Sequence, residues 1–326
     1  MDGVWLGNDP TLRHHYKQLI TRYDHDRKAM WYYMNSSPRP CFTIDLLNDI
    51  NHFQQDVTFW VNVSPSDVYP SIFSSLRYIV LASQIPGVFN LGGDLALFKN
   101  LICDRNREGL LAYAEACIDV LHANSVNLNL PITTISLVQG DALGGGFEAA
   151  LSSTVLIAEK RAQMGLPEIL FNLFPGMGAY NLLGRRIGAA RAEKIILSGR
   201  IYSAEELNEL GVVDILAEEG EGVEAVHSYI RKQDKFNNGY QAVHNIRQLY
   251  HPVTYKQLMN VATLWVDTAL QLREKDLRIM ERLARSQDRL MRKKTTATQK
   301  PILHERTKIE ENYIFDSATS DPTRSA

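Results

Sequence analysis

The chain predicts an α/β fold, and three observations carry the prediction. β-branched apolar runs at "RYIVLAS" (77–83), "ITTISLVQG" (132–140) and "TVLIAE" (154–159) have the length and composition of buried strands. Helical stretches separate them, and strands alternating with helices favour parallel or mixed crossovers. Glycine-rich loops follow the first two strands, the usual place for a site in such folds.

Taken in order, residues 10–30 are polar with helical spacing, which predicts an N-terminal helix within an extension over 1–28. "AMWYYMN" (29–35) predicts a short aromatic strand, ended by "SSPRP" (36–40). "FTIDLLNDINHF" (42–53) has a helical apolar period with Thr43 as candidate N-cap. After strand 77–83 comes the loop "QIPGVFNLGGDLALF", then a helical stretch to about Asn124. "QMGLPEIL" reads as a loop entering a helix, and from about Gly188 the pattern is helical throughout. Residues 253–294 keep one apolar stripe through Leu258, Ala262, Trp265, Ala269 and Leu272. The last part is basic, with ten Lys or Arg against four Asp or Glu over 271–300, and the tail from Thr295 is polar.

Composition narrows the function classes. The 326 residues carry a formal charge of −2, with 45% apolar and 22% charged residues, so net charge makes no case for nucleic acid or membrane. Three separated cysteines, Cys41, Cys103 and Cys117, read as reduced, mainly buried thiols of a cytoplasmic protein. No window reaches the length of a membrane span, and no export signal stands at the start. His14 and His15 lack further ligands at metal spacing, so no metal is expected.

The chemistry concentrates in "GDALGGGFEAALSS" (140–153). Gly144, Gly145 and Gly146 open a helix, where free amides and the helix dipole stabilise negative charge. A phosphate site fits poorly: the Walker lysine is missing, and "GMGAYNLLG" (176–184) follows no strand. No G-x-S-x-G elbow occurs either. An oxyanion hole remains, with its second amide at Gly92 or Gly93 in "FNLGGD" (89–94). Glu148 and Glu168 each stand in a first helical turn. If both face that hole they can divide proton transfer, and their repulsion would keep one protonated near neutral pH.

Through "GVFNLGGDL", the segment from Val138 to Gly188 and "IILSGRIYSAEELNELGVVDIL", residues 77–216 resemble the enoyl-CoA hydratase/isomerase (crotonase) superfamily. The resemblance implies a crotonase-type ββα spiral core over 29–216 and a helical C-terminal region over 217–326 that builds a homotrimer or a dimer of trimers. It assigns the oxyanion hole to Gly93 and Gly145, and the acid–base pair to Glu148 and Glu168. Within the superfamily, "MGLPEILFNLFPGMGAY" and the terminal extensions are similar to bacterial diffusible signal factor (DSF) synthases. That similarity implies dehydration of a 3-hydroxyacyl thioester and hydrolysis to a cis-2-unsaturated fatty acid signal for quorum sensing. It also implies a signalling-sensor protein as partner. No dissociable cofactor is expected. Leu95, Ala96 and Leu97 follow Asp94 where a basic residue often meets coenzyme A, which favours acyl-carrier protein as the thioester donor, with Lys99 arriving later. The acyl chain is expected among Leu143, Met164, Leu166 and Trp265, and the basic 271–294 helix is a candidate surface for the acidic carrier. The competing readings are an ordinary enoyl-CoA hydratase or isomerase, and a crotonase-fold binding protein without catalysis.

Overall fold

The protein is described by a computed structural model covering residues 4–5, 14–62 and 75–297, with side chains described over 14–62 and 75–285. The chain begins with β1 (Val4–Trp5), β2 (Leu19–Asp24) and β3 (Ala29–Met34), an antiparallel ribbon. This corrects the helix expected over 10–30 and the helical extension over 1–28. "LITRYD" pairs residue for residue with β3, from Leu19–Met34 to Asp24–Ala29, and Lys28 turns the hairpin at φ 52°. Pairing with a buried aromatic strand overrides a weak helical period. The remainder of that extension, residues 1–3 and 6–13, lies outside the described residues.

Helix α1 (Ile44–Asn62) starts as expected: Thr43 Oγ1 accepts from Leu46 N at 3.1 Å. Three ββα turns of a spiral follow. Strands β4 (Tyr78–Ser83) and β5 (Val88–Asn90) lead into α2 (Leu95–Cys103) and α3 (Arg107–Ser125). Strands β6 (Thr133–Val138) and β7 (Asp141–Leu143) lead into α4 (Gly145–Ser152). Strands β8 (Val155–Glu159) and β9 (Gln163–Gly165) lead into a 3-10 turn (Pro167–Phe171), then α5 (Ala179–Ile187) and α6 (Ala189–Ser198). Each turn gives one strand to a large sheet and one to a small sheet.

The large sheet has the order β1-β2-β3-β4-β6-β8-β11 and the small one β10-β9-β7-β5, where β10 is Ile201–Ser203 and β11 is Ile215–Ala217. Strands β3, β4, β6, β8 and β11 run parallel, as do β5, β7 and β9. Side-chain alternation gives the large sheet two buried faces. Trp31, Val80, Ile135 and Ile157 pack on Val226 and Ile230, whereas Met30, Tyr32, Leu81 and Leu156 enter the main core.

Beyond Gly188 the chain is not wholly helical. Strands β10 and β11 flank α7 (Ala204–Glu209) and are three residues long, too short to show a period of two. Helices α8 (Gly222–Lys235), α9 (Asn237–Tyr250), α10 (Tyr255–Ala269) and α11 (Glu274–Ala297) complete the described chain. The expected stripe is buried at Leu258, Ala262, Trp265 and Ala269, and α10 is tied to α3 by Tyr255–Asp119 and Arg107–Asp267, both 2.8 Å. The long helix breaks after α10, where Asp276 Oδ2 accepts from Arg273 N at 3.0 Å and starts α11. Among the cysteines, Cys41 and Cys117 are buried but Cys103 is exposed at the end of α2. His14 bonds Asp56 on α1 at 2.8 Å. No helix among the described residues is long and apolar enough to cross a membrane.

Candidate active site

The spiral brings the end of each small-sheet strand to one place. β5 exits into Gly92–Gly93, β7 into Gly144–Gly145 and β9 into Glu168, and all three line one cavity with Glu148. Residues 75 positions apart thereby become neighbours (Gly93 to Glu168 in the chain).

In the first loop, Asn90 Oδ1 accepts from Gly92 N at 2.8 Å, and Gly92 takes φ +92°, a conformation that favours glycine. Asp94 caps α2 by accepting from Leu97 N at 3.1 Å and pairs with Arg39 at 3.3 Å. Below it, the Tyr113 hydroxyl donates to Phe42 O at 2.5 Å. In the second loop, Gly144 has φ 53° and ψ −125°, and a Cβ there would stand 2.5 Å from Glu168 Oε1. A Cβ on Gly146 would stand 2.0 Å from Asn90 O, so the two loops touch backbone to backbone. A Cβ on Gly145, in contrast, would sit 3.6 Å from Gly93 N, which places the two amides side by side. Among the described residues no protein group accepts from Gly93 N–H or Gly145 N–H. Adjacent free amides at the start of α4 suit an oxyanion.

Glu148 is 1% exposed, and its Oε1 accepts from Met177 N at 2.8 Å and Ala179 N at 2.9 Å, where α5 begins. Burial pushes its carboxyl up to about 7, and the two amides hold it from rising further. Glu168 is half-buried, and its Oε2 is closed off with no hydrogen-bond partner among the described residues. Burial, with the Glu148 charge second, pushes it up to about 8. The two titrate as a pair, so near neutral pH the site holds close to one proton, one carboxyl as acid and one as base.

Two pH effects follow. Turnover that needs one proton on the pair should be bell-shaped in kcat/KM, which reports the ligand-free protein, with limbs near pH 7 and 8. Both folded-state values lie above the ordinary 4.5, so between about pH 4.5 and 8 the folded state binds more protons than the unfolded one. Stability therefore falls as pH rises through that window. Melting curves should show Glu168→Gln gaining Tm over the unmodified chain at pH 9, with the gain disappearing by pH 4.

Of the residues expected to hold an acyl chain, Leu143 and Trp265 line the cavity. Met164 and Leu166 do not: both are fully buried in the main core, with Met164 turned inward from the middle of β9. The rest of the wall is mainly apolar, with Phe42, Leu47, Ile50, Phe98, Tyr113 and Leu121. Its signal was present as one-face spacing on α1 and α3, although the same spacing marks ordinary core. Trp265 covers Gly176 and meets Phe98 edge-on at 5.0 Å, while Lys99–Glu281 at 3.0 Å ties α2 to α11. No cluster of three or more metal-ligating side chains occurs among the described residues.

A ββα spiral with two neighbouring free amides beside one buried and one half-buried carboxylate suits reactions through an oxyanion. Residues 73–268 match the enoyl-CoA hydratase/isomerase family, and the chain belongs to that family. It is 30% identical over 152 residues to the mitochondrial methylglutaconyl-CoA hydratase of Rattus norvegicus, covering 47% of this chain and 46% of the relative. The chain thus spans about half the length of the curated relatives it matches. In structure it is similar to an enoyl-CoA hydratase from Bacillus halodurans, with TM-score 0.65, 20% identity and coverage of 82% of this chain and 99% of that one. It is also similar to Pseudomonas aeruginosa DspI, with TM-score 0.56, 21% identity and coverage of 75% and 84%. Both structures support the crotonase-type fold.

Proposed function

We propose that this protein dehydrates a medium-chain 3-hydroxyacyl thioester to a cis-2-enoyl thioester and then hydrolyses it, releasing a cis-2-unsaturated fatty acid signal of the DSF kind. The observation that supports this best is the carboxyl pair Glu148 and Glu168, raised toward neutral pH, beside the free amides of Gly93 and Gly145. Hydrogen bonds from the amides to the thioester oxygen acidify the α-carbon. One glutamate takes the α-proton and the other protonates the departing 3-hydroxyl, so water leaves and the double bond forms. For the second step, a carboxylate activates water for attack on the carbonyl carbon. The same amides hold the tetrahedral oxyanion until the thiol leaves with a proton.

Two features support a carrier-protein thioester. Leu95, Ala96 and Leu97 follow the oxyanion loop, and the next cation, Lys99, is engaged by Glu281 at 3.0 Å. Assembly belongs to the same reading. Val243, Ile246 and Tyr250, with Phe236 just before the helix, leave α9 with an exposed apolar face that suits a homotrimer or a dimer of trimers. The likeness to methylglutaconyl-CoA hydratase favours a second reading, an ordinary hydratase acting on coenzyme A thioesters.

Purified protein given the same 3-hydroxyacyl group on acyl-carrier protein and on coenzyme A separates them by mass spectrometry. Free 2-enoic acid, faster from the carrier protein, is the expected result. Reversible hydration on coenzyme A with no free acid would establish the ordinary hydratase instead.

A further inference from the structure

The cavity has a definite far end. Helix α1 gives it Leu47, Ile50 and Gln54, and α3 gives it Tyr113, Cys117, Val120, Leu121 and Asn124, each set on one helix face. Tyr113 marks the catalytic end, because its hydroxyl lies 3.6 Å from where a Cβ on Gly93 would be. Asn124 lies eleven residues further along α3, roughly 16 Å at 1.5 Å per residue. It is fixed there by bonds to Ser152 at 2.8 Å and Ser153 at 3.0 Å. The wall therefore runs along α3 for about three helical turns, and its Asn124 end is held against α4 about one turn beyond Glu148.

Behind that end lies a separate groove. Asn51, Gln55, Thr58 and Phe59 of α1 face Asp119, His122 and Ala123 of α3 across it. Among the described residues, Gln54 is the one side chain that lines both the cavity and the groove. It is 5% exposed, and its Nε2 donates to Val120 O at 2.9 Å, which closes the gap between the two helices with a buried hydrogen bond. A side chain anchored to backbone across the gap between the two helices makes an end stop: its volume closes the way, and a chain pushing past it would have to displace it.

We propose that Gln54 is the residue that sets acyl-chain length, the floor of a tunnel that begins at Gly93 and Gly145. The identity of the ligand as an acyl thioester rests on the function proposed above; the position of the floor does not. Truncating Gln54 would join tunnel and groove and admit longer chains.

The test is a series of straight-chain 3-hydroxyacyl thioesters, octanoyl to hexadecanoyl, with the unmodified chain, Gln54→Ala and Gln54→Met. The ratio of kcat/KM for the longest to the shortest substrate should rise by at least about tenfold in Gln54→Ala, the discrimination one or two methylenes carry in an apolar pocket. Gln54→Met, of similar length, should keep the original ratio. Should Gln54→Ala fail to fold, Gln54→Ser truncates the side chain while keeping a polar group, and the same rise is expected. An unaltered ratio in the folded, truncated variant overturns the proposal. The same series of saturated free fatty acids, followed by quenching of tryptophan fluorescence, reads the floor without chemistry. If the unmodified chain turns over no thioester yet the truncated variant gains binding of the longest acids, the floor stands and the proposed function falls. If no acid in the series binds either protein, the floor falls.

Discussion

Glu148→Gln and Glu168→Gln should each lower kcat by about 10²–10⁴-fold, the contribution expected of a positioned acid or base. Each substitution preserves shape and removes the ionisable group. The two losses should not multiply, because each carboxyl sets the other's protonation and the reaction needs both. The Glu148 change also tests its ties to Met177 and Ala179 at 2.8 and 2.9 Å. In Glu148→Gln the bell collapses to a single limb, since one titrating carboxyl remains, and that limb moves to lower pH because Glu168 loses the neighbouring charge that raises it. Steady-state kinetics across pH on folded protein checks all three statements. Unaltered kcat in either variant would remove that residue from the mechanism.

Gly146→Ala should be more damaging than Gly145→Ala, although the triplet makes them look equivalent. At Gly146 the new Cβ would lie 2.0 Å from Asn90 O, backbone against backbone, so the loops must separate. Overpacking of this kind costs about 1–3 kcal/mol or more, and here it also pulls apart the two amides. At Gly145 the Cβ meets Gly92 Cα and Gly93 N at 3.6 Å, an ordinary contact. Urea unfolding should therefore show a loss of about 3 kcal/mol for Gly146→Ala and under about 1 kcal/mol for Gly145→Ala. Equal losses would mean that the contact between the loops after β5 and β7 is looser than described.

The contrast between those glycines shows what one chain can reveal. Helix starts at Thr43 and at the triplet were legible, because capping groups and glycine act within a few residues. The strand β2 was not, because "LITRYD" becomes a strand through its partner β3 and not through its own period. Strands β10 and β11 escaped for a related reason: three residues cannot show alternation. The core of the site, Gly93, Gly145, Glu148 and Glu168, was nameable from loops and spacing together with the family resemblance. Its convergence required the spiral, which lays three successive strand ends beside one another. The acyl wall was the least legible part. Leu166 and Phe98 are both buried apolar residues of the main core, yet only Phe98 also lines the cavity.

On the proposed function, the two glutamates and two amides form one site for removing a proton beside a thioester carbonyl. The direct measurement is the mass of substrate and product after purified protein acts on a medium-chain 3-hydroxyacyl-carrier-protein thioester in heavy water. Deuterium at the α-carbon of recovered substrate is expected, together with 2-enoyl product, and neither in Glu148→Gln or Glu168→Gln. Absence of both from the unmodified protein across the chain-length series, or their persistence in both variants, would contradict it.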